Sequence, residues 1–311
     1  MMGTAFVLSG GGSLGAVQVG MLHALTDRGV VPDLLVATSA GAINAAFVAG
    51  HGTDRPAIDE LAAIWVGVRQ RDIFPIDPLH QLLAVAGVRA SVFPDRGLRR
   101  LIASHLRYPR LEESAIPVHL VATNLLSGEE VLLSAGDAVT AVLASTAIPG
   151  MLPAVRHDGL TLVDGCLADN TPISQAVELG ADRVVVLPTG FACALTQAPT
   201  NPLATAVRAL SVLTQQRLIN DVAYFADRVE LMVLPPLCPL TVSSTDFRHA
   251  RELIERARRA TGNWLDTGGT SRPHPERFLS PHHHALRGES DSAPRPQGHS
   301  RPAPSPQGGH L

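Results

Sequence analysis

Three short stretches hold residues whose chemistry can be joined. Ser39 lies in Ala37-Thr38-Ser39-Ala40-Gly41, a glycine run lies at Ser9-Gly10-Gly11-Gly12-Ser13-Leu14-Gly15, and Asp164 lies in Val163-Asp164-Gly165-Cys166. A serine hydroxyl becomes a useful nucleophile when a base takes its proton and N–H groups receive the oxyanion that its attack creates. Consecutive glycines leave room beside their N–H groups and let them turn toward one anion. The plain alternatives are a serine that only caps a helix, an aspartate that only shapes a turn, and a glycine loop that binds a phosphate.

The elements around these stretches decide where they lie. Leu34 to Val36 reads as a buried strand and Ala42 to Ala49 as a buried helix of small residues, so Ser39 sits in a strand-to-helix turn. A serine at such a turn is a nucleophile elbow, with the helix N-terminus and its positive dipole end beside the reacting atom. The usual elbow is G-x-S-x-G, and Ala37 replaces the first glycine here. Ala5 to Leu8 reads as a strand feeding the glycine loop, and Ala16 to Arg28 as a helix stopped by Gly29. This β-loop-α-β-turn-α opening predicts a mainly parallel sheet, whose ligands bind outside the C-terminal strand ends, where both Ser39 and the glycine loop fall.

Further along, helices are expected at Pro56 to Gln70, Arg96 to His105, Asp137 to Ser145, Pro172 to Leu179, about 202 to 226, and Thr245 to Leu265. Strands are expected at Val118 to Thr123, Glu129 to Leu133, Arg183 to Leu187 and Val229 to Leu234. Val155 to Val163 reads as a tight hairpin around Asp158-Gly159, and its second arm delivers Asp164 to a strand end. The proline-interrupted stretch 71–96 is expected to cap the site. Residues 1–265 form one domain in this reading. Residues 266–311, rich in Pro, Gly, Ser, His and Arg, read as a disordered tail. Its run His282-His283-His284 is read as incidental, with no metal site implied.

Two other chemistries compete. Gly10 to Gly15 also fits G-x-G-x-x-G after a strand and before a helix, the context of a dinucleotide-binding oxidoreductase. That fingerprint wants an acidic residue at the end of the second strand, and Asp33 stands before that strand instead. A Ser-Asp-His hydrolase would need a histidine in a strand-end loop. His157 adjoins a tight turn and His249 lies in a charged helix.

Taken together, the glycine loop at 10–15, the serine turn at 37–41, Ala144-Ser145-Thr146-Ala147-Ile148-Pro149 and Asp164-Gly165-Cys166 resemble the patatin-like phospholipase family, over about residues 3–265. The resemblance implies a three-layer α/β/α sandwich. It also implies acyl hydrolysis by a Ser39-Asp164 dyad without a catalytic histidine, and it needs no cofactor. The oxyanion loop would be Gly10, Gly11, Gly12, Ser13 and Gly15, with the N–H groups of Gly11, Gly12 and Ser13 as donors. Ala37, Gly41, Gly165 and Cys166 would support the two catalytic residues. The implied substrates are phospholipid or lysophospholipid esters met at a membrane surface. Three positions depart from the family pattern: Leu14 stands where many members carry Arg or Lys, Ala37 replaces the elbow glycine, and Cys166 follows Asp-Gly in place of Gly or Ala. A fold retained as an interaction or regulatory module, with catalysis lost, is the alternative these departures raise.

Composition bounds the rest. The 311 residues are 45% hydrophobic, enough for a sizeable core, and the net charge of −3 gives no electrostatic basis for nucleic-acid binding. All 25 basic residues are Arg. The absence of Lys excludes a Walker phosphate loop, a Schiff base and Ser-Lys catalysis. Cys166, Cys193 and Cys238 suggest neither a disulfide framework nor a metal cluster. The N-terminus has no basic leader pattern, and Leu34 to Gly50 is broken by Thr38, Ser39 and Asn44, short of the ~18 apolar residues of a spanning helix. The expectation is a cytoplasmic protein with peripheral contact to a membrane.

Overall fold

A computed structural model describes residues 3–195, 197–200, 202–269 and 279–280. Its elements are β1 (Thr4–Leu8), α1 (Gly15–Thr26), β2 (Leu34–Thr38), α2 (Ala40–His51), α3 (Arg55–Gly67), α4 (Gln70–Ile73), α5 (Pro78–Val85) and α6 (Arg96–His105). They continue with β3 (Val118–Asn124), β4 (Glu130–Leu133), α7 (Ala138–Thr146), β5 (Val155–His157), β6 (Leu160–Asp164), α8 (Ile173–Glu178), β7 (Arg183–Leu187), α9 (Pro202–Phe225), β8 (Glu230–Val233) and α10 (Ala250–Asp266).

Hydrogen-bonded neighbours in the sheet follow the path β5-β6-β3-β2-β1-β7-β8, with β4 also paired to β3. The pairs β1–β2, β2–β3, β1–β7 and β7–β8 are parallel, while β4 and β6 meet β3 antiparallel. Alternate residues of the parallel strands enter two separate apolar clusters. Phe6, Leu8, Leu35, Ala37, Val185 and Leu187 pack with α1, α2, α3, α6, α7 and α10. Ala5, Val7, Val36, Val184 and Val186 pack with Ile173 and Ala176 of α8 and Leu218 and Val222 of α9. Burial on both faces explains why these strands read as continuous apolar runs. The result is the expected three-layer α/β/α sandwich.

The register of β3 positions the site. Val121 pairs with Thr38 of β2 and with Leu132 of β4, and Ala122 pairs with Asp164 of β6 and with Val131 of β4. Since β4 occupies one edge of β3 along both residues, β2 and β6 share the other edge. They arrive from opposite directions and end against each other at neighbouring positions.

Several boundaries differ from the sequence reading. The helix expected to run to Gln70 ends at Gly67, because Val68 and Arg69 are extended before α4 begins. The stretch 71–96 carries the separate helix α5, started by Asp77, which accepts from the His80 N–H at 3.1 Å, with Pro78 in the first turn. The last helix begins at Ala250, after a 3-10 turn at Phe247–His249, rather than at Thr245. Of the stretch 266–311 expected to be a disordered tail, residues 266–269, 279 and 280 are described, and Leu279 is buried with Leu218 and Val222 of α9. The rest of that stretch, including His282-His283-His284, lies outside the described residues.

Candidate active site

Ser39 has φ 55° and ψ −122°, a region that L-residues with a Cβ seldom occupy and that costs about 1–3 kcal/mol. Among the described residues, Asp158 is the other non-glycine with positive φ. The strain comes from turning directly from β2 into α2. Gly41 permits the turn, because a Cβ there would lie 2.2 Å from the Leu8 carbonyl oxygen. The Ser39 backbone caps α2 through its carbonyl, which accepts from Ala42 at 2.8 Å. Its hydroxyl does not cap the helix. It donates to Asp164 Oδ2 at 2.6 Å.

Asp164 is completely buried. Its Oδ1 accepts from the Cys166 N–H at 2.9 Å. Burial pushes its carboxyl above the ordinary aspartate value, opposed by the bonds from Ser39 and Cys166. Thr123 Oγ1 holds the Asp164 carbonyl at 3.0 Å, and the Asp164 N–H donates to Ala147 O at 2.9 Å. Cys166, a departure from the family pattern, thus contributes a backbone donor. Burial and the neighbouring Asp164 charge push its thiol well above the ordinary cysteine value, so it remains protonated.

The glycine loop lies against Ser39: a Cβ on Gly10 would come within 3.0 Å of Ser39 Cβ and 2.4 Å of Asn170 Oδ1. The loop's N–H groups are not equivalent. Gly10 donates to Asn170 O at 3.0 Å, Ser13 donates to Ser244 O at 2.8 Å, and Gly15 donates into the 3-10 turn at Gly12 and Ser13. These three positions, expected in the oxyanion loop, therefore have their N–H groups occupied, and Ser13 drops out as a donor. Gly11 and Gly12 keep N–H groups without a partner among the described residues. Leu14 is buried in the core and borders the site without bringing a charge. Ala37 is buried in β2 with its methyl in the main apolar cluster.

Sequence reasoning left several supporting residues unassigned. Ser145 Oγ accepts the Ser39 N–H at 3.0 Å and donates to Val121 O at 2.6 Å. Thr189 Oγ1 donates to Gly10 O at 2.7 Å. A buried polar chain runs from Trp65 Nε1 to Asn44 Oδ1 (2.7 Å), from Asn44 Nδ2 to Gln18 Oε1 (2.8 Å), and from Gln18 Nε2 to Ser9 O (2.8 Å). It ties α3, α2 and α1 to the start of the glycine loop. Asn44 and Gln18 were readable as polar positions in apolar helices, but their partners lie far away in sequence.

No histidine among the described residues bonds Ser39 or Asp164. His157 faces Asp158 at 3.5 Å, and His249 faces Asp246 and Glu252, each at 3.5 Å. Asp33, the acid the dinucleotide fingerprint would need, accepts from the Thr4 N–H at 2.8 Å at the start of β1, the opposite strand end from the glycine loop. No cluster of potential metal ligands occurs among the described residues.

Two cavities meet at Ser39. One, about 850 Å³ including its open mouth, is walled by Ala40, Ile43, Ala46 and Phe47 of α2 and by apolar side chains of α3, α4, α6 and α7, with Ile148 and Phe247. The other, about 1520 Å³ by the same measure, is more polar. It contains the glycine loop, Asp164, Asn170, Thr189, Ser243 to Thr245 and Arg208. Arg208 Nη1 donates to Ala192 O at 2.9 Å, and its guanidinium stacks 4.0 Å from the Phe191 ring centroid.

Residues 6–177 match the model of the family described as patatin-like phospholipase. The chain belongs to the patatin-like phospholipase family. It is 31% identical over 185 residues to an NTE family protein of Mycobacterium tuberculosis, covering 59% of this chain and 48% of that one. It is 25% identical to lysophospholipase NTE1 of Pyricularia oryzae, covering 59% of this chain and 12% of that one. The chain thus spans about half the length, or less, of these relatives. Among solved structures, VipD from Legionella pneumophila aligns with a TM-score of 0.44 at 17% identity, over 86% of this chain and 67% of that one.

Proposed function

We propose that the protein is a serine hydrolase of lipid acyl esters, with Ser39 as nucleophile and Asp164 as its base. The observation that carries this reading is the 2.6 Å bond from Ser39 Oγ to Asp164 Oδ2 where the apolar and polar cavities join. Asp164 takes the Ser39 proton as Oγ attacks the ester carbonyl carbon, and the Gly11 and Gly12 N–H groups receive the oxyanion. Collapse of this intermediate expels the alcohol, which takes the proton from Asp164 and leaves an acyl-serine. Asp164 then takes a proton from water, whose attack releases the fatty acid and returns the proton to Ser39. The N-terminus of α2 adds favourable potential at the developing negative charge.

The cavities divide the substrate. The apolar one suits an acyl chain, and the polar one suits a lysophospholipid or phospholipid head group, with Arg208 as the cation facing it.

The deciding experiment is labelling of purified protein with a fluorophosphonate probe, beside Ser39→Ala. Wild type is expected to label and Ser39→Ala is not. An unlabelled wild type, or a label that persists in Ser39→Ala, rejects the reading.

A further inference from the structure

The region between Phe74 and Phe93 exposes apolar side chains that the core does not need. Ile76, Leu79, Leu82, Val85 and Val88 are 66–87% exposed, within thirteen residues. Soluble surfaces seldom concentrate large apolar groups in this way without a partner. Helix α5 turns Gln81, Leu83 and Ala84 inward and leaves Leu79, Leu82 and Val85 facing out.

Both ends of this arm are fastened at the mouth of the site. Ile73 and Phe74, just before it, line the apolar cavity that ends at Ser39. Phe74 packs on Phe93 with ring centroids 5.3 Å apart. Val92 and Phe93 donate to the carbonyls of Gly150 and Met151 at 2.8 and 2.9 Å, and His80 Nε2 meets Ser91 O at 3.0 Å. The exposed face therefore borders the entrance an acyl chain would use.

The charge around the arm is unlike that of the whole chain. Residues 69–100 hold six arginines (69, 71, 89, 96, 99 and 100) against Asp72, Asp77 and Asp95, a net of +3, while the whole chain carries −3. Arg96 and Arg99 are paired with Asp77 and Asp95. Arg71, Arg89 and Arg100 make no ion pair among the described residues. Arg71, Arg96 and Arg100 surround one surface depression together with Pro75.

We infer that α5 and its flanks are a membrane-docking surface. Leu79, Leu82 and Val85 enter the acyl boundary of a bilayer, and the arginines meet anionic head groups. The occupant is a lipid surface, because apolar groups rimmed by unpaired cations match the two layers of an anionic membrane. A second copy of the chain would bring its own arginines against this rim. Residues 270–278 and 281–311 offer only Phe278, Leu286 and Leu311 as large apolar side chains, too few to cover five. The inference builds on the proposed lipid hydrolysis, but its readout is binding, so the two fail separately.

The test is flotation of the full chain with phosphatidylcholine vesicles, with and without phosphatidylglycerol, at low and high salt. Wild type is expected to float with the anionic vesicles and to be released by salt. The variant L79S/L82S/V85S should bind at least ~10-fold more weakly while hydrolysing a short soluble ester at the wild-type rate. The variant R71Q/R100Q should lose the preference for anionic vesicles. Val85→Glu, at the most exposed position, serves as the single-site version if the triple variant misfolds by circular dichroism. A wild type that ignores anionic vesicles, or apolar variants that float like wild type, overturns the inference. So does a wild-type dimer that the apolar substitutions convert to monomer.

Discussion

Thr38 and Asp164 occupy adjacent positions on the same edge of β3, opposite Val121 and Ala122. Two strands approaching head to head leave their last residues in contact, and this brings Ser39 within 2.6 Å of a carboxylate 125 positions later in the chain. The arrangement leaves no place for a histidine between them. Asp164→Asn should keep the fold, since an amide oxygen still accepts from Cys166, and should lose ester turnover by ~10²-fold or more. His157→Ala and His249→Ala should each stay within a few-fold of wild type. Steady-state hydrolysis of a short-chain ester, with circular dichroism as the folding control, measures all three. An active Asp164→Asn beside a dead histidine variant would reject the dyad.

What was legible in the sequence follows from how local each signal is. The serine turn, the glycine run and the strand-end aspartate announce themselves through their own neighbours, and the apolar runs of β1, β2 and β7 show that both sheet faces are covered. The resemblance pointed to the N–H groups of Gly11, Gly12 and Ser13, but which loop N–H groups stay unpartnered was not legible. Gly10 and Ser13 lose their N–H groups to Asn170 and Ser244, more than a hundred residues away. Ser145 lies in a motif the sequence shows, yet its bond to the Ser39 N–H depends on the packing of α7 against the elbow. Helix α5 was hidden because Pro75, Pro78 and Pro94 interrupt the stretch and its large apolar side chains face outward rather than toward the core.

Ala37 departs from the elbow pattern as a buried strand residue. Its backbone is that of a strand residue, and its methyl fills part of the core between β2 and the helices. Ala37→Gly should therefore yield no faster enzyme. Losing the buried methyl and stiffening of the strand should cost about 1–2 kcal/mol, or ~2–4 °C in Tm per kcal/mol for a domain of this size. Thermal unfolding and ester turnover test this together. A large gain in turnover would show that the methyl strains Ser39.

The apolar cavity predicts a chain-length effect. Ile43 lines it one turn into α2 from Ser39, so a larger side chain there blocks passage along the helix. Ile43→Trp should lower hydrolysis of a long-chain ester by ~10-fold or more while a butyrate ester stays within a few-fold, since extra methylenes discriminate only when the pocket receives them. Equal losses on both esters would mean that the acyl chain lies elsewhere.

The pH dependence comes from the burial of Asp164. An ordinary aspartate titrates near 3.9, and burial raises this carboxyl despite the donors Ser39 and Cys166. A protonated Asp164 cannot accept the Ser39 proton, so labelling by a fluorophosphonate should fall as the pH drops, with its midpoint above ~4. The same shift acts on stability. A carboxyl raised in the folded state favours folding when protonated, and that contribution is lost as the pH rises through its folded value. Above the ordinary aspartate value the raised carboxyl costs stability, a cost that Asp164→Asn removes. The Tm advantage of Asp164→Asn over wild type should therefore be larger at pH ~7 than at pH ~4. A midpoint of labelling below ~4, with no pH dependence of the Tm difference, would show that the two hydrogen bonds outweigh desolvation at this carboxylate.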